Sequence, residues 1–77
     1  MKQFTRITLN PEVMGGKPCI RGMRITVGMV VGLVSAGHTA GKILQAYPYL
    51  EAADITKALA FAAWGVEEIE VPLARAA

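Results

Sequence analysis

Met14-Gly15-Gly16-Lys17-Pro18-Cys19-Ile20-Arg21-Gly22-Met23-Arg24-Ile25-Thr26 is the stretch on which the fold turns. Pro18 fixes its own φ and biases Lys17 away from helix. Gly16 and Gly22 allow backbone angles that other residues reach only at a cost. Cys19-Ile20 and Arg24-Ile25 therefore read as two short extended arms around a turn at Arg21-Gly22-Met23. Gly16, Pro18 and Gly22 are its structural residues, and Lys17, Arg21 and Arg24 are presented from a rigid hairpin.

Upstream, Phe4 to Leu9 is rich in β-branched and apolar residues and stops at the turn signal Asn10-Pro11. It reads as a strand. A loop over residues 11–17 follows, with room for one helical turn at Pro11-Glu12-Val13-Met14 capped by Asn10. Downstream, Thr26 is a good N-cap and Gly37 a good C′ residue, which predicts a helix from Val27 to Ala36. That helix is apolar nearly all round, so burial on most sides is expected. Gly28, Gly32 and Ala36, four apart, would admit another backbone, in the core or at a subunit contact, with the core favoured.

Thr39 caps a second helix, Ala40 to Ala46, which Pro48 ends. Tyr47 to Leu50 reads as a connector with buried aromatics. A third helix runs from about Ala52 to Val66, with Ile55, Ala58, Leu59, Ala62 and Val66 as its core stripe. Asp54 complements the helix dipole and is expected at an exposed position. The tail Glu68-Ile69-Glu70-Val71-Pro72-Leu73 alternates acidic and apolar residues. This is a strand pattern that Pro72 confines to a sheet edge.

At 77 residues the chain is one domain, residues 1–77. A core of this size rarely supplies more than about 3–5 kcal/mol without a staple. One cysteine closes no intrachain disulfide, and a single histidine leaves no Cys/His metal cluster. Self-association or a partner is the expected remedy, and a homodimer is the expected assembly. The first residues lack an apolar leader, and the apolar run Val27–Val34 is far short of a membrane span, so a cytoplasmic location and no membrane partner are expected. The net charge of +2 is distributed unevenly. Residues 1–24 carry Lys2, Arg6, Lys17, Arg21 and Arg24 against Glu12. Residues 51–77 carry five acids against Lys57 and Arg75. A basic front suits phosphates or acidic partners; an acidic tail suits a basic partner or the front itself.

The residues Ile7-Thr8, Asn10-Pro11-Glu12-Val13, Gly16-Lys17-Pro18, Ile20-Arg21-Gly22 and Arg24-Ile25 resemble the domain-of-unknown-function 433 family. Gly37, Ile43, Tyr47-Pro48 with Leu50, Ile55, Ala58-Leu59 and Phe61-Ala62 continue the resemblance in order. It covers roughly residues 4–63; residues 64–77, the helix end and acidic tail strand, lie outside it. The resemblance implies a trihelical, homeodomain-like helix-turn-helix preceded by an N-terminal hairpin. It also implies a VapB-type antitoxin of a type II toxin–antitoxin pair, whose partner is a toxin of PIN-like nuclease fold.

No enzymatic constellation emerges from the residues. Ser35 lies inside a helix without a base nearby in sequence, His38 sits in a turn, and Cys19 reads as a small buried hydrophobe. Glu67, Glu68 and Glu70 lack further ligands, and Gly15-Gly16-Lys17 is too short for a phosphate loop. No cofactor and no metal are expected.

Two kinds of partner stay open. For DNA, the candidates are Lys17, Arg21 and Arg24 on the hairpin, with Arg6 and Lys42, because phosphate contacts position a protein without specifying sequence. The competing reading is that Arg21 and Arg24 form ion pairs holding the hairpin on the helices. The third helix offers only Thr56 and Lys57 as a reading head, which is poor. For protein, the candidates are Phe61 and Trp64, off the core stripe, and the row Ile69, Val71 and Leu73. The aromatics have an alternative place, closing the core under the N-terminal sheet.

The expectation is thus a small α+β fold, an N-terminal β-hairpin followed by a three-helix bundle with a short C-terminal edge strand. Its function is non-catalytic neutralisation of a PIN-like ribonuclease, with operator DNA as a second ligand. The alternatives are a stand-alone DNA-binding transcriptional regulator and a structural or assembly module with a non-nuclease partner.

Overall fold

The computed structural model describes residues 4–68. Within them the order is β1 (Ile7–Thr8), a 3₁₀ turn (Met14–Gly16), β2 (Cys19–Ile20), α1 (Val27–Ser35), α2 (Ala40–Ala46) and α3 (Ala52–Glu67). This is a small α+β architecture, a two-stranded antiparallel hairpin followed by three helices.

β1 pairs with β2 in the register Ile7 opposite Ile20 and Thr8 opposite Cys19. The hairpin of the sheet is therefore not the one expected inside residues 19–25. The Arg24-Ile25 arm contributes only a bridge from Thr26 to Cys19, with Ile20 N–H donating to Ile25 C=O at 2.9 Å. β2 is thus flanked on both edges, by β1 and by the chain entering α1. The expected strand Phe4–Leu9 shrinks to Ile7–Thr8, because Ile7 N–H folds back onto Phe4 C=O in a turn. At the place expected for a single turn, Val13 N–H donates to Asn10 C=O at 3.0 Å and Asn10 Oδ1 accepts from Glu12 N–H at 2.9 Å; the turn does not continue as a helix, and the 3₁₀ turn Met14–Gly16 follows it.

The turn at Ile20–Met23 is closed by Met23 N–H on Ile20 C=O at 2.7 Å. Arg21 and Gly22 both have positive φ, +42° and +75°. Positive φ at both central positions marks a type I′ turn, which favours Gly, Asn or Asp. Arginine there is strained, and its side chain must supply the compensation.

α1 and α2 begin at Thr26 and Thr39, whose hydroxyls accept from Met29 N–H and Lys42 N–H. Gly37, φ +96°, follows the C-cap of α1. These two helices start where expected and end within one residue of expectation.

The core joins Phe4 and Ile7 to Ile20, Val27, Val30, Ile43, Leu50, Ile55 and Ala58, with α1 packed along α3. Three expectations about burial are corrected. α1 buries only Val27 and Val30, since it packs on one side of α3 and nothing covers its far side among the described residues. Gly28 and Gly32 are exposed, and a Cβ at Gly32 would meet nothing. In α3, Leu59 and Val66 of the expected stripe are 38 % and 68 % exposed, while Asp54 is 0 % exposed. The helix is rotated so that Asp54, Ile55, Ala58 and the edge of Phe61 face inward. In the connector, Tyr47 is half-buried, Leu50 is buried and Tyr49 is 72 % exposed.

Candidate functional site: a buried carboxylate gripped by two arginines

Asp54 sits at the third position of α3, preceded by the N-cap Glu51. Its Oδ2 accepts from Glu51 N–H at 2.8 Å, a backbone donor that the start of the helix would otherwise leave unpaired. That contact turns the carboxylate toward β1 and the turn after β2. Arg21 Nε donates to Oδ1 at 3.0 Å and to Oδ2 at 3.2 Å, and its Nη2 donates to Oδ2 at 2.9 Å. Arg6 Nη1 donates to Asp54 Oδ1 at 2.9 Å and to Glu51 Oε1 at 2.8 Å. Arg21 Nη2 also reaches Tyr49 C=O at 2.9 Å.

The backbone sets this up. Arg21 N–H donates to Arg6 C=O at 2.8 Å, extending the sheet ladder by one rung and placing the two guanidinium stems side by side. Thr8 Oγ1 accepts from Gly22 N–H at 3.0 Å and pins the turn from the other side. Two arginines and two acids therefore join the sheet, the Tyr47–Leu50 connector and the start of α3 in one cluster. Burial by itself would raise the Asp54 pKa. The hydrogen bonds from Arg21, Glu51 N–H and Arg6 outweigh it and hold the group at about 2. Glu51 and then Asp54 push the Arg6 guanidinium upward, and Asp54 does the same for Arg21. The cluster is charge-balanced, and both Asp54 oxygens accept hydrogen bonds, so it can hold the hairpin on the helices.

The five basic candidates thus divide. Arg6 and Arg21 are committed to Asp54, with side chains about a third exposed. Arg24 is exposed, its Nη1 3.9 Å from Met14 Sδ, and among the described residues it forms no ion pair, so of the two hairpin arginines Arg21 alone follows the competing ion-pair reading. Lys17 and Lys42 are exposed on separate segments. Gly16 and Gly22 have φ of +85° and +75°, in keeping with a structural role, and Pro18 C=O accepts from Val27 N–H at 2.9 Å.

Phe61 and Trp64 are also placed. They close on Phe4, with ring centroids 5.2 Å apart for Phe4–Phe61, edge to face, and 5.8 Å for Phe4–Trp64. This is the alternative in which the aromatics seal the core beneath the N-terminal segment, and it leaves Trp64 36 % exposed. Ile69, Val71 and Leu73, and the tail strand they were assigned to, lie outside the described residues.

Cys19 is buried, with its thiol on Lys17 C=O at 3.3 Å, and His38 is exposed in its turn. Among the described residues, no three His, Cys, Asp or Glu side chains gather where they could hold a metal ion. No described helix is long and apolar enough to cross a membrane.

Asp54 is the residue that sequence reasoning missed. The available signal was its place at the third helical position, directly before Ile55 in an apolar stripe, in a chain with a surplus of early arginines.

Residues 7–62 match the family model described as "Protein of unknown function (DUF433)". The chain belongs to the DUF433 family. The matched span holds Arg21, Glu51 and Asp54 and begins just after Arg6. A curated relative, the uncharacterized protein y4eO of Sinorhizobium fredii (strain NBRC 101917 / NGR234), is 39 % identical over 56 residues. Those residues are 73 % of this chain and 25 % of that protein, so the chain spans about a quarter of the relative's length. The fold is similar to the crystal structure of a DUF433 member protein from Anabaena variabilis ATCC 29413, with a TM-score of 0.76 and 29 % identity. That likeness covers 87 % of this chain and 67 % of the other. A DUF433 domain is here a hairpin riveted to a helix start through one buried carboxylate.

Proposed function

We propose that this DUF433 protein is a non-catalytic, antitoxin-like binding module whose partner is a PIN-like ribonuclease. The observation that carries the reading is the outward face of α3. Leu59, Ala63 and Val66 lie along it one turn apart, exposed, with Thr56 the nearest polar residue on the same strip. A face of small and aliphatic side chains reads no base edges, which need Arg, Lys, Asn or Gln. It suits the apolar face of a second helix, which approaches closely where side chains are short. The three helices are read as a homeodomain-like helix-turn-helix with α3 in the recognition position, reused for protein contact. Neutralisation would then be occlusion, the bound module blocking the substrate path of the nuclease, with a homodimer as the binding unit.

A stand-alone DNA-binding regulator is the second reading, and the exposed Lys17, Arg24 and Lys42 favour it. With Arg6 and Arg21 spent on Asp54, such binding would rest on few phosphate contacts, and so be weak with a shallow dependence on salt.

Co-expression with the product of the adjacent gene tests the proposal. Growth arrest by the neighbour alone, rescue by this chain and co-purification of the two are the expected results. A harmless neighbour that does not bind would overturn it.

A further inference from the structure

A groove of about 540 Å³ opens between the start of α1 and the end of α3. Pro18, Met29 and Phe61 are its apolar walls, Gly28 and Gly65 line it without side chains, and the exposed Lys17 stands at its edge. A Cβ at Gly65 would meet nothing within 4 Å, and one at Gly28 only Thr26 Oγ1 at 4.0 Å, so an incoming chain has room to lie close.

Beside the groove stands a side chain of the kind that fills such a space. Thr8 lies opposite Cys19 in the sheet, so Leu9 and Pro18 leave the ladder next to each other, and Pro18 is a groove wall. Leu9 is 55 % exposed and does not line its own groove. Glu12 is exposed on the same loop. Gly16 lies against that loop at the groove edge, since a Cβ there would stand 3.6 Å from Pro11 Cα. Among the described residues neither Glu12 nor Lys17 forms an ion pair, although only five positions separate them.

Plug and socket, and acid and base, thus lie side by side on one face. A patch that carries both halves of a contact is self-complementary about a two-fold axis. We propose that this face joins two copies of the chain. Leu9 of each copy seats in the groove of the other, over Gly28 and against Pro18 and Phe61, and Glu12 of each meets Lys17 of the other. A foreign partner would use the groove and leave Leu9 and Glu12 without a role; a second copy uses all of them twice. The outward strip of α3, with Leu59, Ala63 and Val66, turns away from Phe61 and Gly65 and stays open in the dimer. The inference names the surface of the homodimer in the proposed binding unit and rests on that part of the reading alone.

Sedimentation equilibrium of the free full-length chain, from the micromolar to the millimolar range, is the first test. Wild type should rise with concentration to twice the chain mass. Leu9→Asp should raise the dimer dissociation constant about a hundredfold or more, because both copies lose the plug, while its amide spectrum stays dispersed. Glu12→Lys and Lys17→Glu should each weaken the dimer about tenfold, and the double variant should restore it. In a sample mixing labelled and unlabelled chains, Leu9 methyls should give filtered NOEs to the Met29 methyl of the other copy. A wild-type monomer at millimolar concentration, a dimer indifferent to Leu9→Asp, or groove NOEs arising only within one chain would each overturn the proposal. A monomer that still neutralises the nuclease sinks this inference and spares the nuclease reading; a dimer of this kind with no nuclease partner does the reverse.

Discussion

Arg21 and Asp54, thirty-three positions apart, are joined by three hydrogen bonds between one guanidinium and one carboxylate, at 2.9 to 3.2 Å. Arg21 stands at a positive φ that arginine rarely adopts, and Asp54 is fully buried. Each residue compensates the other. The strained turn aims the guanidinium at α3, and the guanidinium makes a buried charge tolerable.

Asp54→Ala removes the anchor of both arginines and a helix-start acceptor together. The cost should be about 3 kcal/mol, the low end for breaking a buried ion pair, because the arginines left behind can hydrate. A core this small holds little more than that. Circular dichroism melts should show a Tm close to or below room temperature. Arg21→Ala should destabilise more than Arg6→Ala, since Arg21 supplies most of the hydrogen bonds.

The depressed Asp54 pKa fixes the sign of an acid effect. A group at about 2 in the folded chain, against 3.8 unperturbed, stabilises the fold above the unfolded value. That contribution, roughly 2 kcal/mol, drains away as pH falls from about 4 through 2. Urea midpoints measured across this window should drop for wild type. The difference between wild type and Asp54→Asn should narrow over the same range.

Gly22→Ala tests the turn. Open space surrounds the position, so any penalty is conformational. With φ at +75°, alanine should cost about 1 kcal/mol, read as a lowered urea midpoint with an unchanged slope.

Gly32→Ala tests α1 with the opposite sign. The site is helical, exposed and unobstructed, so alanine should stabilise by roughly 0.5–1 kcal/mol and raise Tm. A loss of stability would mean that another backbone packs against this face.

Leu59→Lys tests the α3 face. The side chain is already 38 % exposed, so Tm should change little while co-purification with the partner is lost. Lys17→Ala, Arg24→Ala and Lys42→Ala should leave that co-purification intact and lower any affinity for DNA.

The local signals were legible because they are carried by neighbours in the chain. Thr26 and Thr39 cap the helices that follow them, Pro48 bounds α2, and Gly37 takes the positive φ its position needs. The turn around Arg21-Gly22 was visible in the same way. Pairing partners were not. Cys19-Ile20 had an apolar arm on either side, and nothing local ranks Ile7-Thr8 above Arg24-Ile25.

The stripe on α3 shows the same limit. Ile55, Ala58, Leu59, Ala62 and Val66 share an apolar face, yet only part of it turns inward. Periodicity gives the width of a face, while its rotation follows from what it meets. Here Phe4 drew Phe61 and Trp64 toward the core, and the two arginines drew Asp54.

By itself the sequence determined the three helices, the threonine caps of α1 and α2 and the rigid turn, because each depends on contacts within a few residues, and it displayed the charge asymmetry directly. Only the tertiary structure decided that Arg6 and Arg21 are spent on Asp54 rather than left for a partner. A carboxylate can be buried only where two cations and a backbone N–H converge. That convergence joins residues 6, 21, 51 and 54, and it exists only once the sheet and α3 have packed.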